Sequence, residues 1–338
     1  DNTIVGYGMD FIEYGKIPSY HKVVIWDSLG EVREQLDLTP LFTYSHRENS
    51  YKGQFVSCQL SPDKKNILVI GRNYQFQGDA FETIIYSYSI ETRKWMTLFV
   101  NKEYQCLKVS FHPTNSDVMV AYATSKSTKN NEYDVFLIDV KQNQLTKKIK
   151  TYRFPNIPIS IHFSQDGKRL FIFDGLDSGT GSMDVFSTEK YTSIKRIPIK
   201  DHVIKVFETN NEYYYCGSYS TFVYNKNDLK LKQTLKFDDV KGIYPESNFM
   251  LVTEHSKTGQ PSKSALYNLK TKKLNYWSSG SEILQLYVPE KSAFIAFNFT
   301  EFFHYDENYK RNFLPPALEN LSPSVILHKI DVATILKQ

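Results

Sequence analysis

The strongest constraint on the fold is a recurring turn. Leu-Ser-Pro-Asp-Lys-Lys occupies residues 60–65, Phe-His-Pro-Thr-Asn-Ser 111–116 and Phe-Ser-Gln-Asp-Gly-Lys 163–168. Looser copies follow as Thr-Asn-Asn-Glu at 209–212, Pro-Glu-Ser-Asn at 245–248 and Pro-Glu-Lys-Ser at 289–292. Successive copies are on average about 46 residues apart, a period that belongs to repeat architectures. Around each turn apolar and polar residues alternate at period two. Phe55-Val56-Ser57-Cys58-Gln59-Leu60 precedes the first copy and Ile67-Leu68-Val69-Ile70 follows it. Ile84-Ile85-Tyr86-Ser87-Tyr88, a polar turn, and Trp95-Met96-Thr97-Leu98-Phe99 complete the unit. Residues 107–111, 118–123, 135–139 and 145–149 repeat those roles. A helix would need apolar positions every 3.6 residues, so the pattern reads as strands.

Four strands in some forty to fifty residues is the size of one propeller blade. The sequence therefore predicts an all-β chain, a β-propeller of seven four-stranded blades. Six lie at 53–99, 106–149, 157–198, 203–236, 240–280 and 283–314. Residues 1–35 supply most of another, with Lys22-Val23-Val24-Ile25-Trp26-Asp27 as its third strand. The β-branched segment 324–330 is expected to close the ring by joining that N-terminal blade, since an open ring leaves unpaired edges. A short helix is the alternative there, because Ile326, Ile330 and Ala333 also have helical spacing. Residues 1–338 read as one propeller domain, and a start at Asp1 without Met suggests a piece of a longer protein.

The turn Ser-Pro-Asp-Lys-Lys, its variant Ser-Gln-Asp-Gly-Lys and the Trp26-Asp27 dipeptide at a strand end resemble the WD40 repeat family. Trp-Asp occurs once and Gly-His is absent, Asp201-His202 being the nearest echo. The resemblance spans nearly the whole chain and implies a propeller that serves as a binding platform.

Composition narrows the class. The 24 Tyr, 23 Phe and 3 Trp supply a large core and favour strands. No apolar run approaches twenty residues, so no membrane insertion is expected. Cys58, Cys106 and Cys216 are odd in number, far apart and without CxxC spacing, which argues against a zinc site or a disulfide framework and for cytoplasm or nucleus. Two glycosylation sequons, at Asn298 and Asn320, are fewer than chance would give in a chain this rich in Asn, Ser and Thr. Phosphate-loop, HExxH and GxSxG motifs are absent. The eight histidines are scattered and read as structural or surface residues. A propeller enzyme would need acidic groups gathered in its channel, and Asp174, Asp177 and Glu254, after second strands, read as ordinary loop residues. No cofactor, metal ligand or catalytic residue is assigned.

Two surfaces are left for binding. The second-to-third strand loops 72–82, 124–132, 174–182 and 254–262 are long and share one end with the inter-blade connections. Tyr74, Phe76 and Phe81 on the first of these, with Phe42 and Tyr44 on the connection 36–52, are candidate partner anchors. The second surface is basic. Lysine and arginine crowd the outermost strands and their turns, including Lys147, Lys148, Lys150, Arg153, Lys195, Arg196, Lys230, Lys232, Lys272 and Lys273. A net charge of +4 therefore conceals a basic belt offset by an acidic remainder. Such a belt attracts nucleic acid or an acidic protein, or guards edge strands with lysine.

The expectation is a non-catalytic interaction scaffold whose partners are other protein subunits of a eukaryotic assembly, ribonucleoprotein- or chromatin-associated. The alternative is a propeller hydrolase or lactonase holding a metal in its central channel.

Overall fold

The computed structural model describes residues 4–10, 20–26, 32–46, 49–52, 54–75, 80–101, 103–125, 132–142, 144–175, 181–237, 239–254, 263–277, 282–288, 293–298, 303–305, 311–313 and 326–331. The chain divides into two compact units, Asp1–Ile204 and Lys205–Gln338.

In the first unit, β1 (Ile4–Asp10), β2 (Tyr20–Trp26) and β3 (Val32–Asp37) form a three-stranded sheet. A single turn, α1 (Thr39–Phe42), and a hairpin, β4 (Thr43–His46) with β5 (Asn49–Lys52), follow. Three four-stranded meanders come next, each hydrogen-bonded in chain order. They are β6 (Gln54–Leu60), β7 (Asn66–Gln75), β8 (Ala80–Ser89) and β9 (Lys94–Asn101); β10 (Tyr104–His112), β11 (Asn115–Ser125), β12 (Glu132–Asp139) and β13 (Gln144–Arg153); and β14 (Ile157–Phe163), β15 (Arg169–Gly175), β16 (Gly181–Ser187) and β17 (Thr192–Ile199).

A fourth meander, β18 (Val203–Glu208), β19 (Glu212–Gly217), β20 (Thr221–Asn225) and β21 (Leu231–Leu235), begins at the unit boundary. The second unit continues with β22 (Asp239–Tyr244), β23 (Phe249–Glu254), β24 (Lys263–Asn268) and β25 (Leu274–Trp277). Beyond them lie β26 (Glu282–Val288), β27 (Ala293–Asn298), the pair β28 (Phe303–Tyr305) and β29 (Arg311–Phe313), and β30 (Ile326–Asp331).

Apolar runs without alternation explain the packing. In β7, Ile67 and Val69 join Val23, Ile25, Leu36 and Leu38 on one side, whereas Leu68 and Ile70 join Val109, Phe111, Met119 and Ala121 on the other. β11 and β15 behave alike, Val120 and Tyr122 meeting Leu170 and Ile172. Second strands are thus covered on both faces, so sheets stack face to face, each large aliphatic side chain contributing about 1.5–3 kcal/mol. In the second unit Val223 and Cys216 pack with Val240, Met250 and Val252.

The repeated turn has a chemical basis. Ser61 Oγ donates to Asp63 Oδ1 at 2.5 Å and accepts from Asn66 N–H at 2.9 Å. Ser164 does the same with Asp166 and Arg169 at 2.6 and 2.9 Å. The turn needs a left-handed residue, supplied by Lys64 (φ 59°) in one and Gly167 (φ 71°) in the other. The third-to-fourth turns use Arg93, Tyr191, Leu229 and Lys272 in that conformation.

Three expectations are corrected. Segment 326–331 does not join the N-terminal sheet and is no helix: β30 pairs antiparallel with β27, over six residues. It takes the place beside β27 that β28, only three residues long, leaves while pairing with β29; the longer ladder satisfies more backbone groups. The loop expected at 72–82 is shorter, because β7 and β8 continue as a hairpin whose backbone register pairs Tyr74 with Phe81 and Gln75 with Ala80. Asp174 lies in β15, not in a loop.

Candidate functional site

The belt of basic residues on the outer strands is the only predicted surface whose side chains are well described, and beneath it lies a feature the sequence reading missed. Asp134, Asp174 and Asp184 are each 5 % exposed or less, and a buried carboxylate persists only if paired and hydrogen-bonded. Asp134 receives Thr151 Oγ1 at 2.5 Å and Lys148 Nζ at 2.8 Å. Asp184 Oδ2 receives Lys150 Nζ at 2.6 Å, Tyr152 OH at 2.7 Å and Arg196 NH1 at 2.6 Å. The other end of the Arg196 guanidinium reaches Asp174 Oδ2 at 2.5 Å, while Ser182 N–H donates to Asp174 Oδ1 at 2.6 Å. Lys150 and Tyr152 belong to β13 and Asp184 to β16, so the cluster ties one sheet to the next.

Electrostatics follows the geometry. Burial, then Asp184, pushes the Tyr152 phenol far above its ordinary range. Burial opposes the charge of Arg196, but Asp174 and Asp184 outweigh it and hold the guanidinium above its usual value. Asp134 raises Lys148. Lys148 and Arg196 are held as cations and the Tyr152 phenol as a neutral donor, all committed to buried carboxylates, which suits a structural staple better than proton transfer.

The remaining predicted basic residues divide. Arg153 pairs with Glu132 at 2.8 Å, Lys230 with Asp228 at 3.6 Å and Lys232 with Glu212 at 2.5 Å. Glu212 also accepts from Tyr214 OH at 2.7 Å; burial opposes its ionisation, but Lys232 and Tyr214 draw its carboxyl below the usual range. Lys147 Nζ donates to the Lys190 carbonyl at 2.6 Å, again sheet to sheet. Lys272 Nζ sits 5.9 Å from the Tyr267 ring centroid. Among the described residues no ion pair holds Lys147, Lys195, Lys272 or Lys273.

Of the aromatic anchors, Phe42 ends α1, Tyr44 lies on β4 opposite Tyr51, and Tyr74 and Phe81 face each other across β7 and β8; Phe76, like Asp177, lies outside the described residues. Their side chains belong to the undescribed part of the structure. The described connections show two other exposed aromatics, Phe154 (60 % exposed) between β13 and β14 and Tyr219 (75 %) between β19 and β20. Among the described residues no three His, Cys, Asp or Glu side chains gather as a metal ion would require. One signal could have found the buried aspartates: an Asp-Val-Phe triplet recurs at 134–136 and 184–186, a charge inside otherwise apolar strands.

No known protein family and no curated protein matches the chain. Solved structures do. A candidate 6-phosphogluconolactonase from Bacteroides uniformis aligns with TM-score 0.56 at 11% identity, covering 98% of this chain and 100% of that one. The Dos1 propeller aligns with TM-score 0.51 at 14% identity, covering 82% and 72%. A chain of the Mitotic Checkpoint Complex aligns with TM-score 0.50 at 14% identity, covering 82% and 78%. At these identities the likeness establishes the fold, a β-propeller, and nothing finer.

Proposed function

We propose that this chain is a rigid, non-catalytic interaction scaffold, a seven-bladed propeller that belongs to a multi-subunit eukaryotic assembly of the cytoplasm or nucleus. The observation that carries it is the use made of the charged residues. Asp134, Asp174 and Asp184 are each paired with a cation from an outer strand, and Asp134 and Asp184 with a hydroxyl as well; the bonds of Lys150 and Tyr152 to Asp184 lock the β10–β13 sheet to the β14–β17 sheet, while Phe154 and Tyr219 project from strand connections. A scaffold held in this way loses little entropy when a partner docks. The likeness to a chain of the Mitotic Checkpoint Complex, a multi-protein assembly by its name, accords with protein partners.

The test is affinity capture from native cells with the intact chain, beside the variants Phe154→Ser and Tyr219→Ser, each first shown by circular dichroism to be folded. A discrete protein set retained by the intact chain and reduced in at least one variant is expected. Retention of nothing above a control resin would overturn the scaffold reading. The fold likeness to a candidate 6-phosphogluconolactonase sustains one competing reading. It is checked by assaying sugar lactones with and without EDTA, where chelator-sensitive turnover would replace the scaffold with an enzyme.

A further inference from the structure

The turns that join third to fourth strands differ in how they balance charge. Turn 89–94 sets Glu91 against Arg93 and Lys94, and turn 187–192 sets Glu189 against Lys190. In turn 139–144 Lys141 pairs with Asp117 at 2.5 Å, and in turn 225–230 Lys230 pairs with Asp228 at 3.6 Å. The turn of the β22–β25 sheet, Asn268-Leu269-Lys270-Thr271-Lys272-Lys273, contains three lysines and no acid. All three are exposed, and among the described residues none has an ion-pair partner. Like charges this close repel one another, so the turn itself gains nothing from them.

The backbone fixes where the three side chains start. Asn268 Oδ1 accepts from the N–H groups of Lys270 and Thr271 at 2.9 and 2.8 Å. Lys272 N–H donates to the Asn268 carbonyl at 2.9 Å, and Asn268 N–H to the Lys273 carbonyl at 2.8 Å. Lys272 adopts φ 61°, a conformation that favours glycine. At the matching place in other turns Tyr191 and Leu229 pack or bury their side chains, whereas Lys272 stays exposed, its Nζ resting 5.9 Å from the Tyr267 ring centroid. That ring is held in turn by an edge contact with Phe237 at 4.9 Å. The acid whose ionisation Lys272 eases, Glu212, is already held by Lys232 at 2.5 Å and by Tyr214 OH at 2.7 Å.

We infer that turn 268–273 is a docking site for an acidic polypeptide segment, a run of aspartate and glutamate on a partner protein, with Lys270, Lys272 and Lys273 as its contacts. Charge complementarity names the occupant, since uncompensated point charges select by sign rather than by shape. A phosphate group is matched less well. It is bound best by an arginine fork or by free backbone N–H groups, and this turn has no arginine and commits the N–H groups of Lys270, Thr271 and Lys272. Exposed ion pairs contribute little each, so affinity on the order of 100 μM is expected at low salt, weakening as salt rises.

The inference names a partner class for the scaffold reading and is tested apart from it, because a peptide titration does not depend on Phe154 or Tyr219. The probe is a fluorescein-labelled octapeptide of glutamate, followed by anisotropy with the full chain at low salt, beside the same peptide made of glutamine. One variant combines K270A, K272A and K273A. A second combines K64A, K65A and K94A, which removes the same charge from exposed residues of the β6–β9 sheet. Expected are saturable binding of the glutamate peptide, none of the glutamine peptide, at least about tenfold weakening in the first variant and less than about twofold in the second. Absence of binding, or equal weakening by both variants, would overturn the inference, since net charge rather than a site would then be at work. So would an RNA octamer that binds more tightly than the glutamate peptide and loses that advantage in the first variant, because the turn would then serve nucleic acid. Should the first variant fail to fold by circular dichroism, K270A with K273A, which leaves Lys272 on the Tyr267 ring, takes its place and must weaken binding more than K64A with K65A.

Discussion

Gly167→Ala probes the device that joins the repeated turns. Gly167 sits at φ 71°, and a Cβ built there would lie 2.4 Å from His112 Cε1 and 2.8 Å from His112 Nε2. The His112 ring has little freedom to retreat. Its Nδ1 faces Thr114 N–H, its Nε2 lies 2.9 Å from the Gly167 carbonyl and its edge meets the Phe163 ring at 5.1 Å. Alanine in the left-handed region costs about 1 kcal/mol. Displacing His112 forfeits a hydrogen bond of about 1 kcal/mol and an aromatic contact of about 0.5–1 kcal/mol. The sum is about 2–3 kcal/mol. Native-state hydrogen exchange suits a chain of two units, because it reports local opening without assuming one transition. Amides of β14 and β15 should exchange faster by about 30-fold or more. In a His112→Ala background only the backbone cost remains, so the same substitution should cost about 1 kcal/mol there. Equal costs in the two backgrounds, or a cost below about 0.5 kcal/mol, would refute the clash.

Three further outcomes are expected. Asp184→Asn leaves Lys150 and Arg196 short of charge and should destabilise β13–β17 by about 2–4 kcal/mol, against about 1 kcal/mol for Tyr152→Phe, read by the same exchange measurement. His162 has an enclosed Nε2 without a hydrogen-bond partner, and burial, then Lys108, pushes its pKa down to about 3. The folded state therefore favours the neutral ring, so stability is full above about pH 6.5 and falls by about 1.4 kcal/mol per unit towards pH 3; His162→Phe should remove one proton from the acid limb of a pH titration of stability, and an unchanged slope would contradict this. For nucleic acid, a belt of ten free cations would give a salt slope near −9, whereas the few unpaired ones predict no steeper than about −4 in filter binding to duplex DNA.

The four-strand unit was legible because its turns carry a chemistry that sequence records: Ser61 with Asp63, and Ser164 with Asp166. Strand types were legible for the same reason, since runs such as Leu170-Phe171-Ile172-Phe173 can be covered on both faces only between two sheets. The tail was not, because Ile326–Asp331 could pair with any open edge and only the weakness of β28 decides which. The candidate site was half legible. Lys148, Lys150 and Arg196 were visible as charge, but Asp134 and Asp184 come from other strands, and a net count cannot show that a cation lies over its own counter-ion. The bulges in β9, β13, β17 and β21 have no residue signature at all, being a matter of register.

The left-handed turn residues bear on how this chain can change. Glycine is the natural occupant of such positions, yet the backbone adopts them at Lys64, Arg93, Tyr191, Leu229, Asn248 and Lys272. Each keeps a side chain where the backbone would prefer none. Tyr191 and Leu229 have a reason, since they pack against apolar neighbours or are buried, but Lys64 and Arg93 are exposed. Replacing those two by glycine relieves about 1–2 kcal/mol of backbone strain each, less about 0.5–1 kcal/mol of added freedom in the unfolded chain. The protein thus holds unused stability at these two turns, to be gained without touching its core.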